Sequence, residues 1–214
     1  MTMEASFWHE RWSANEIGFH QSKPNALLEK HIGDLDLSSG SRIFLPLCGK
    51  TLDIGWLLTK EYRVAGAELS ETAVRQLFEE LGVTPAIAPA GTLTRYSAPD
   101  IDIFVGDIFE LSADHLGRVD AIYDRAALVA LPDEMRRRYA RQVTEITDTA
   151  PQLLLTFEYD QSEMAGPPFS IDGLTVKALY DACYSSTLLE KSDVTGGLKG
   201  RVTADEIAWH LEKT

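Results

Sequence analysis

Acidic residues at the ends of apolar runs are the features of this 214-residue chain most able to do chemistry. Glu68 closes the run Val64-Ala65-Gly66-Ala67 and stands 21 residues after Leu47 and 19 after Gly49. Doubly wound α/β folds place an acid at about this spacing, roughly 20 residues, to hold the ribose hydroxyls of a nucleotide. A carboxylate suits the task because it accepts from both hydroxyls and repels a 2′-phosphate. Glu68 also reads as an acid near a helix start, where the dipole favours it. Asp107 follows residues 101–105 and Gly106, so it is able to accept from an adenine amino group while Ile108 packs on the ring. Gly-Asp is equally ordinary turn chemistry. Arg125 lies at a further strand end, where it either serves the site or pairs with Asp124 or another acid.

The loop Leu47-Cys48-Gly49-Lys50 has a single glycine. It permits close approach at Gly49 but offers no full pyrophosphate cradle. An adenosine ligand without pyrophosphate fits these residues, and S-adenosylmethionine is one. Its sulfonium is a cation that aromatic faces attract by about 0.5–2 kcal/mol. Trp8, Trp12 and Phe19 offer such faces; the other use for them is a hydrophobic cap over the core.

The elements that must position these residues follow from periodicity. The apolar runs at 42–45, 64–69, 101–105, 120–123 and 152–159 read as buried strands. Helices are expected from Pro24 to Gly33, over 52–61, after the N-cap Ser70, from Pro132 to about 147, and over 174–184. Residues 186–191 read as a strand, and partial alternation over 201–212 favours another. Strands alternating with helices imply an α/β fold with a mostly parallel sheet and helices on both faces, in which ligands bind beyond the carboxyl ends of the strands. No linker or repeat divides the chain. One domain is expected over 1–214, with residues 1–35 as an N-terminal extension.

Several classes are excluded. Lys plus Arg is 20 against 33 Asp plus Glu, a net charge of −13, which argues against nucleic acid and against a polybasic membrane anchor. No apolar run nears the roughly 20 residues of a membrane span, and the N-terminus lacks the pattern of a secretory signal, so the expected location is cytoplasmic. Cys48 and Cys183 make neither a disulfide framework nor a metal set. Gly49-Lys50-Thr51 is not a triphosphate loop, because Phe44 stands where that loop needs glycine. No G-x-G-x-x-G, G-x-S-x-G or zinc helix occurs, which disfavours a nicotinamide oxidoreductase. A binding protein without chemistry remains the alternative to an enzyme.

Phe7-Trp8-x-x-x-Trp12, Ile17-Gly18-Phe19-His20-Gln21, Phe44-Leu45-Pro46-Leu47-Cys48-Gly49-Lys50, Gly66-Ala67-Glu68-Leu69-Ser70, Asp124-Arg125-Ala126-Ala127-Leu128 and Gly166-Pro167-Pro168-Phe169 together resemble the thiopurine S-methyltransferase family, most nearly its bacterial members. The resemblance implies a Rossmann-like class I methyltransferase fold. It implies a seven-stranded sheet with the last strand antiparallel, and a helical extension over the cofactor site. It implies that Trp12, Leu47, Glu68 and Arg125 contact S-adenosylmethionine, with Trp8, Phe19, Gly49, Asp107 and Ile108 nearby. It further implies that Arg125 faces the acceptor sulfur and that the Gly-Pro-Pro-Phe segment helps cover the site. The expected reaction is in-line methyl transfer to a small thiol, or to selenium or tellurium, with detoxification and tellurite resistance as associated roles. A thiolate is already a strong nucleophile, so no dedicated base is expected. A monomer is the default for an acidic chain of this size.

Overall fold

The computed structural model of the chain describes Trp8, Glu10 and residues 23–214. Trp8 and Glu10 are helical; the expected contributions of Trp12 and Phe19 lie outside the described residues. Nine strands form one sheet among the described residues: β1 (Arg42–Pro46), β2 (Arg63–Glu68), β3 (Ala86–Ala90), β4 (Leu93–Ala98), β5 (Ile101–Val105), β6 (Ala121–Asp124), β7 (Gln152–Tyr159), β8 (Tyr184–Asp193) and β9 (Ala204–Lys213). Their order is β3-β4-β5-β2-β1-β6-β7-β9-β8.

Two expectations are corrected here. The sheet has nine strands, not seven, because β3 and β4 add a hairpin beside β5. Nor is it mostly parallel. Parallel pairing is confined to the five central strands β5-β2-β1-β6-β7, and the four outer pairings are antiparallel. The hairpin escaped periodicity because β3, Ala-Ile-Ala-Pro-Ala, is exposed at four of its five positions. It is an edge strand, and Pro89 is tolerated there because an edge residue need not donate to a ladder. The weakly favoured C-terminal strand is present as β9, antiparallel between β7 and β8.

Among residues 23–214 the α-helices are α1 (Ala26–His31), α2 (Leu52–Thr59), α3 (Glu71–Glu80), α4 (Ala113–Leu116), α5 (Asp133–Ile146) and α6 (Gly173–Tyr180). Side-chain caps start several of them. Asn25 caps α1 by accepting from the backbone of Leu27 and Leu28, and Ser70 caps α3 by accepting from Ala73. The strands alternate across the sheet and so feed two cores. Ile43, Leu45, Val64 and Ile103 pack with Leu28 of α1, Ile54 and Leu57 of α2, and Leu77 and Phe78 of α3. Phe44, Ala65, Phe104 and Ile122 pack with Tyr139 and Val143 of α5 and Val176 and Tyr180 of α6. Burial on both faces explains why these strands read as unbroken apolar runs. No helix among the described residues is long and apolar enough to cross a membrane.

The chain leaves β1 toward β2 on one side, while β6 lies on the other. The strand order therefore reverses at β1, and a crevice opens beyond the carboxyl ends there. Gly66 lets the loop after β1 close down on β2. A Cβ at this position would sit 2.6 Å from Ile103 Cδ1 and 2.8 Å from Cys48 Sγ. Gly66→Ala is expected to cost about 1–3 kcal/mol of stability, the usual cost of overpacking a filled core. Urea unfolding measures it, and an unchanged midpoint would show that Cys48 and Ile103 can yield.

Candidate active site

A cleft of about 830 Å³ occupies this crevice. Leu47, Gly49, Glu68, Asp107, Ile108 and Arg125 line it, and so does Trp8. Their side chains and backbone come from four strand ends and the N-terminal segment. A smaller polar cavity, about 270 Å³, lies at the amino ends of β1 and β2. Two of its arginines, Arg42 and Arg95, are spent on Asp102, at 2.9 and 2.6 Å.

The loop after β1 turns sharply. Leu47 and Gly49 have φ of 48° and 55°, the left-handed region that glycine enters freely and leucine does not. The turn is held by Cys48, whose backbone N–H donates to Ala67 O at 3.0 Å, and by Glu68. Glu68 Oε2 accepts from the backbone N–H of Gly49 and Oε1 from that of Ser70, both at 2.8 Å. Glu68 thus ties the β1 loop to the tip of β2. Burial pushes its carboxyl pKa up, and the N–H donors of Ser70 and Gly49 oppose that shift. A carboxylate offers about four lone-pair positions, so each oxygen retains capacity for one further donor.

Asp107 is exposed at the rim and Ile108 is buried beneath it. Asp107 Oδ1 accepts from Phe109 N at 3.0 Å, capping the short 3-10 turn Ile108–Glu110. Gln142 of α5 donates to the carbonyls of Ile108 and Leu111, fixing that turn to the helix.

Arg125 does not pair with Asp124. Its Nη1 lies 3.8 Å from Asp53 Oδ2 and 3.5 Å from Thr51 Oγ1. Asp53 is itself buried and accepts from Asn25 N at 2.8 Å and Tyr123 OH at 3.2 Å. Asp124 instead points into the core, accepting from Leu128 N and, at 2.6 Å, from Tyr139 OH. Burial raises its pKa to about 6 against the hydrogen bonds from Tyr139 and Leu128.

The far wall is formed by Phe157, Pro167, Pro168, Leu198 and Glu206. The Gly-Pro-Pro-Phe segment is pinned there: Phe169 N donates to Val129 O at 2.7 Å and Tyr159 OH to Pro168 O at 2.6 Å. Asp53 and Glu206 carry no motif in the sequence; only the fold shows that they line the cleft. Cys48 lines the cleft as well, but burial and the neighbouring charge of Glu68 push its thiol pKa well up, so it is no thiolate nucleophile.

The sequence model of the Thiopurine S-methyltransferase (TPMT) family matches residues 3–213. The chain belongs to that family. It is 55% identical over 212 residues to a thiopurine S-methyltransferase of Xanthobacter autotrophicus, covering 99% of this chain and all of that one. It is 50% identical to one of Teredinibacter turnerae, covering 99% and 98%. Among solved structures, a 1,6-didemethyltoxoflavin-N1-methyltransferase of Burkholderia thailandensis with bound S-adenosylhomocysteine superposes with a TM-score of 0.64 at 14% identity, covering 98% of this chain and 87% of that one. A methyltransferase of Anabaena variabilis described as SAM-dependent also gives 0.64 at 14% identity, covering 98% and 95%.

The resemblance drawn from the motifs is thus borne out, as is the Rossmann-like class I fold. The protein is a methyltransferase dependent on S-adenosylmethionine, and the reading as a binding protein without chemistry is set aside. The residues present fit that cofactor. The cleft volume falls within the roughly 300–1,000 Å³ usual for such ligands, and Glu68 keeps acceptor capacity inside it.

Proposed function

We propose that the protein methylates the sulfur of a small thiol, thiopurine-like in shape, by direct in-line transfer. The observation that carries this reading is the position of Glu68, a carboxylate at the tip of β2 that lines the same cleft as Arg125. S-adenosylmethionine supplies an electrophilic methyl group on its sulfonium. Glu68 accepts from the ribose hydroxyls, Asp107 from the adenine amino group, and Ile108 packs on the ring. Leu47 and Gly49 let backbone approach the sugar closely. Trp8, with Trp12 and Phe19, offers ring faces to the cation, and residues 1–35 act as the cover of the donor site.

Arg125 contacts the donor and favours the anionic form of the acceptor. Its contact with Asp53 keeps the guanidinium oriented beside the cleft while unliganded. With an ionised thiol the chain's task is positioning, holding the reacting atoms about 3–3.5 Å apart, and exclusion of water. Softer selenium and tellurium nucleophiles belong to the same acceptor class, which extends the reading to detoxification, including tellurite resistance. The protein acts as a cytoplasmic monomer on small molecules, without nucleic-acid or membrane partners; its net charge of −13 supports that view.

Incubation with labelled S-adenosylmethionine and a panel of thiols tests the reading; labelled thioether is expected, and its absence across the panel sinks it. Arg125→Ala is expected to lower kcat/KM on thiol acceptors about ten- to a hundredfold, the worth of one hydrogen bond to a charged group. Wild-type turnover and donor affinity in that variant would remove Arg125 from the site.

A further inference from the structure

We propose that Glu206 is the base that takes the ring N–H proton from acceptors whose sulfur is present as a thione. The inference rests on the reading above that the acceptor is thiopurine-like. An ionised thiol needs no base, but a thiopurine in its neutral form carries a carbon–sulfur double bond and a hydrogen on an adjacent ring nitrogen. Methylation at sulfur then leaves a proton that has to go somewhere.

The acceptor sulfur forms its bond to the methyl carbon as that carbon's bond to the donor sulfur breaks, and the donor leaves as a neutral thioether. The electrons of the N–H bond form a ring C=N bond while C=S becomes a C–S single bond. The proton passes to a carboxylate oxygen of Glu206 and from there to water at the mouth of the cleft.

Among the described residues four carboxylates line the cleft: Asp53, Glu68, Asp107 and Glu206. Three already serve other groups, Glu68 and Asp107 taking the donor as well in the reading above. Asp53 is buried among Asn25 N, Tyr123 OH and Arg125, Glu68 holds two backbone N–H groups, and Asp107 caps its turn. Glu206 has one long hydrogen bond among the described residues, 3.5 Å from Asn25 Nδ2. It sits on β9 opposite Phe157 of β7, which shares the wall with the Pro167-Pro168 segment. The groups around it are Arg125 after β6, Tyr123 of β6, Asp53 of α2, Asn25 before α1 and Ser192 opposite on β8. Burial raises its carboxyl pKa, against the pull of Arg125 and of the Asn25 amide, while the charge of Asp53 pushes the same way as burial. A half-buried carboxylate of raised pKa is a better proton acceptor than an exposed one.

The test compares the wild type, Glu206→Gln and Glu206→Asp on two acceptors, 6-mercaptopurine and thiophenolate. Glu206→Gln is expected to lose about a hundredfold in kcat/KM on the thione, the usual worth of a general base, and at least ten times more than it loses on thiophenolate. The wild-type rate on the thione is expected to rise with pH through an ionisation above the ordinary carboxylate range. That limb disappears in Glu206→Gln and returns in Glu206→Asp. Equal losses on both acceptors, or none, overturn the proposal. Equal losses with a raised KM for S-adenosylmethionine also overturn it, and put Glu206 at the donor's ammonium group. If the wild type methylates neither acceptor, the S-methyl transfer reading itself falls. If it methylates both and the two losses are equal, only the base falls.

Discussion

Glu68→Ala is expected to weaken S-adenosylmethionine binding by about 2–4 kcal/mol, roughly 30- to 700-fold in Kd. Two contributions add. The ribose hydroxyls lose a charged acceptor. The backbone N–H groups of Gly49 and Ser70, both within 2.8 Å of the carboxylate, lose their partner and release the β1 loop from the tip of β2. The substitution should therefore also lower the thermal midpoint, since buried N–H groups left unpaired cost about 1–3 kcal/mol each. Glu68→Gln separates the two effects. An amide keeps one acceptor oxygen but loses the charge, so binding falls while the midpoint moves less. Titration calorimetry on both variants is the measurement. Unchanged donor affinity in Glu68→Ala would remove the residue from the ribose site and leave it as a loop tether alone.

A second large effect concerns Asp124, the residue beside Arg125 that turns away from the cleft. Burial lifts its pKa to about 6 from an ordinary 3.8. The folded protein therefore holds this proton more tightly than the unfolded chain. The resulting stability is fully present below about pH 4 and is lost as pH rises through about 6. Over that interval the linkage is worth about 3 kcal/mol at 1.36 kcal/mol per pH unit. Asp124→Asn has no proton to exchange and keeps an oxygen able to accept from Leu128 N or Tyr139 OH. Its unfolding free energy relative to wild type is expected to rise by about 2 kcal/mol between pH 4 and pH 7. Urea denaturation at the two pH values measures the difference. Parallel behaviour of the two proteins would mean that Asp124 titrates at its ordinary value.

The outer pairings and the far wall of the cleft carry no local signal in the sequence. Strands β1, β2, β5, β6 and β7 were legible because burial on both faces demands unbroken apolar runs. β3 was not, since an exposed edge strand needs neither an apolar face nor alternation. The N-cap and turn chemistry of Ser70 and Gly106-Asp107 was equally plain from local residue types. The pairing of Arg125 was not. Asp124 is its neighbour in the chain, yet Asp124 is the last residue of β6 and turns into the core, while Arg125 beyond the strand end reaches Asp53 from a helix in another part of the sequence.

What the residues alone determined was local and periodic: the strand–helix alternation, the acid at the second strand's tip, the single-glycine loop, and the motifs that carried the family. Each depends on neighbours within a few positions or on one spacing of roughly 20 residues, and such relations survive in a linear string. Tertiary structure decided which side chains meet. It brought Glu206 of β9 to the cleft lined by Asp53 of α2, turned Asp124 inward, and let Glu68 serve as loop tether and cleft carboxylate at once. The physical reason is that a sheet orders its strands by packing and hydrogen-bond register, not by sequence. Contacts across strand ends therefore exist only once the whole sheet has assembled.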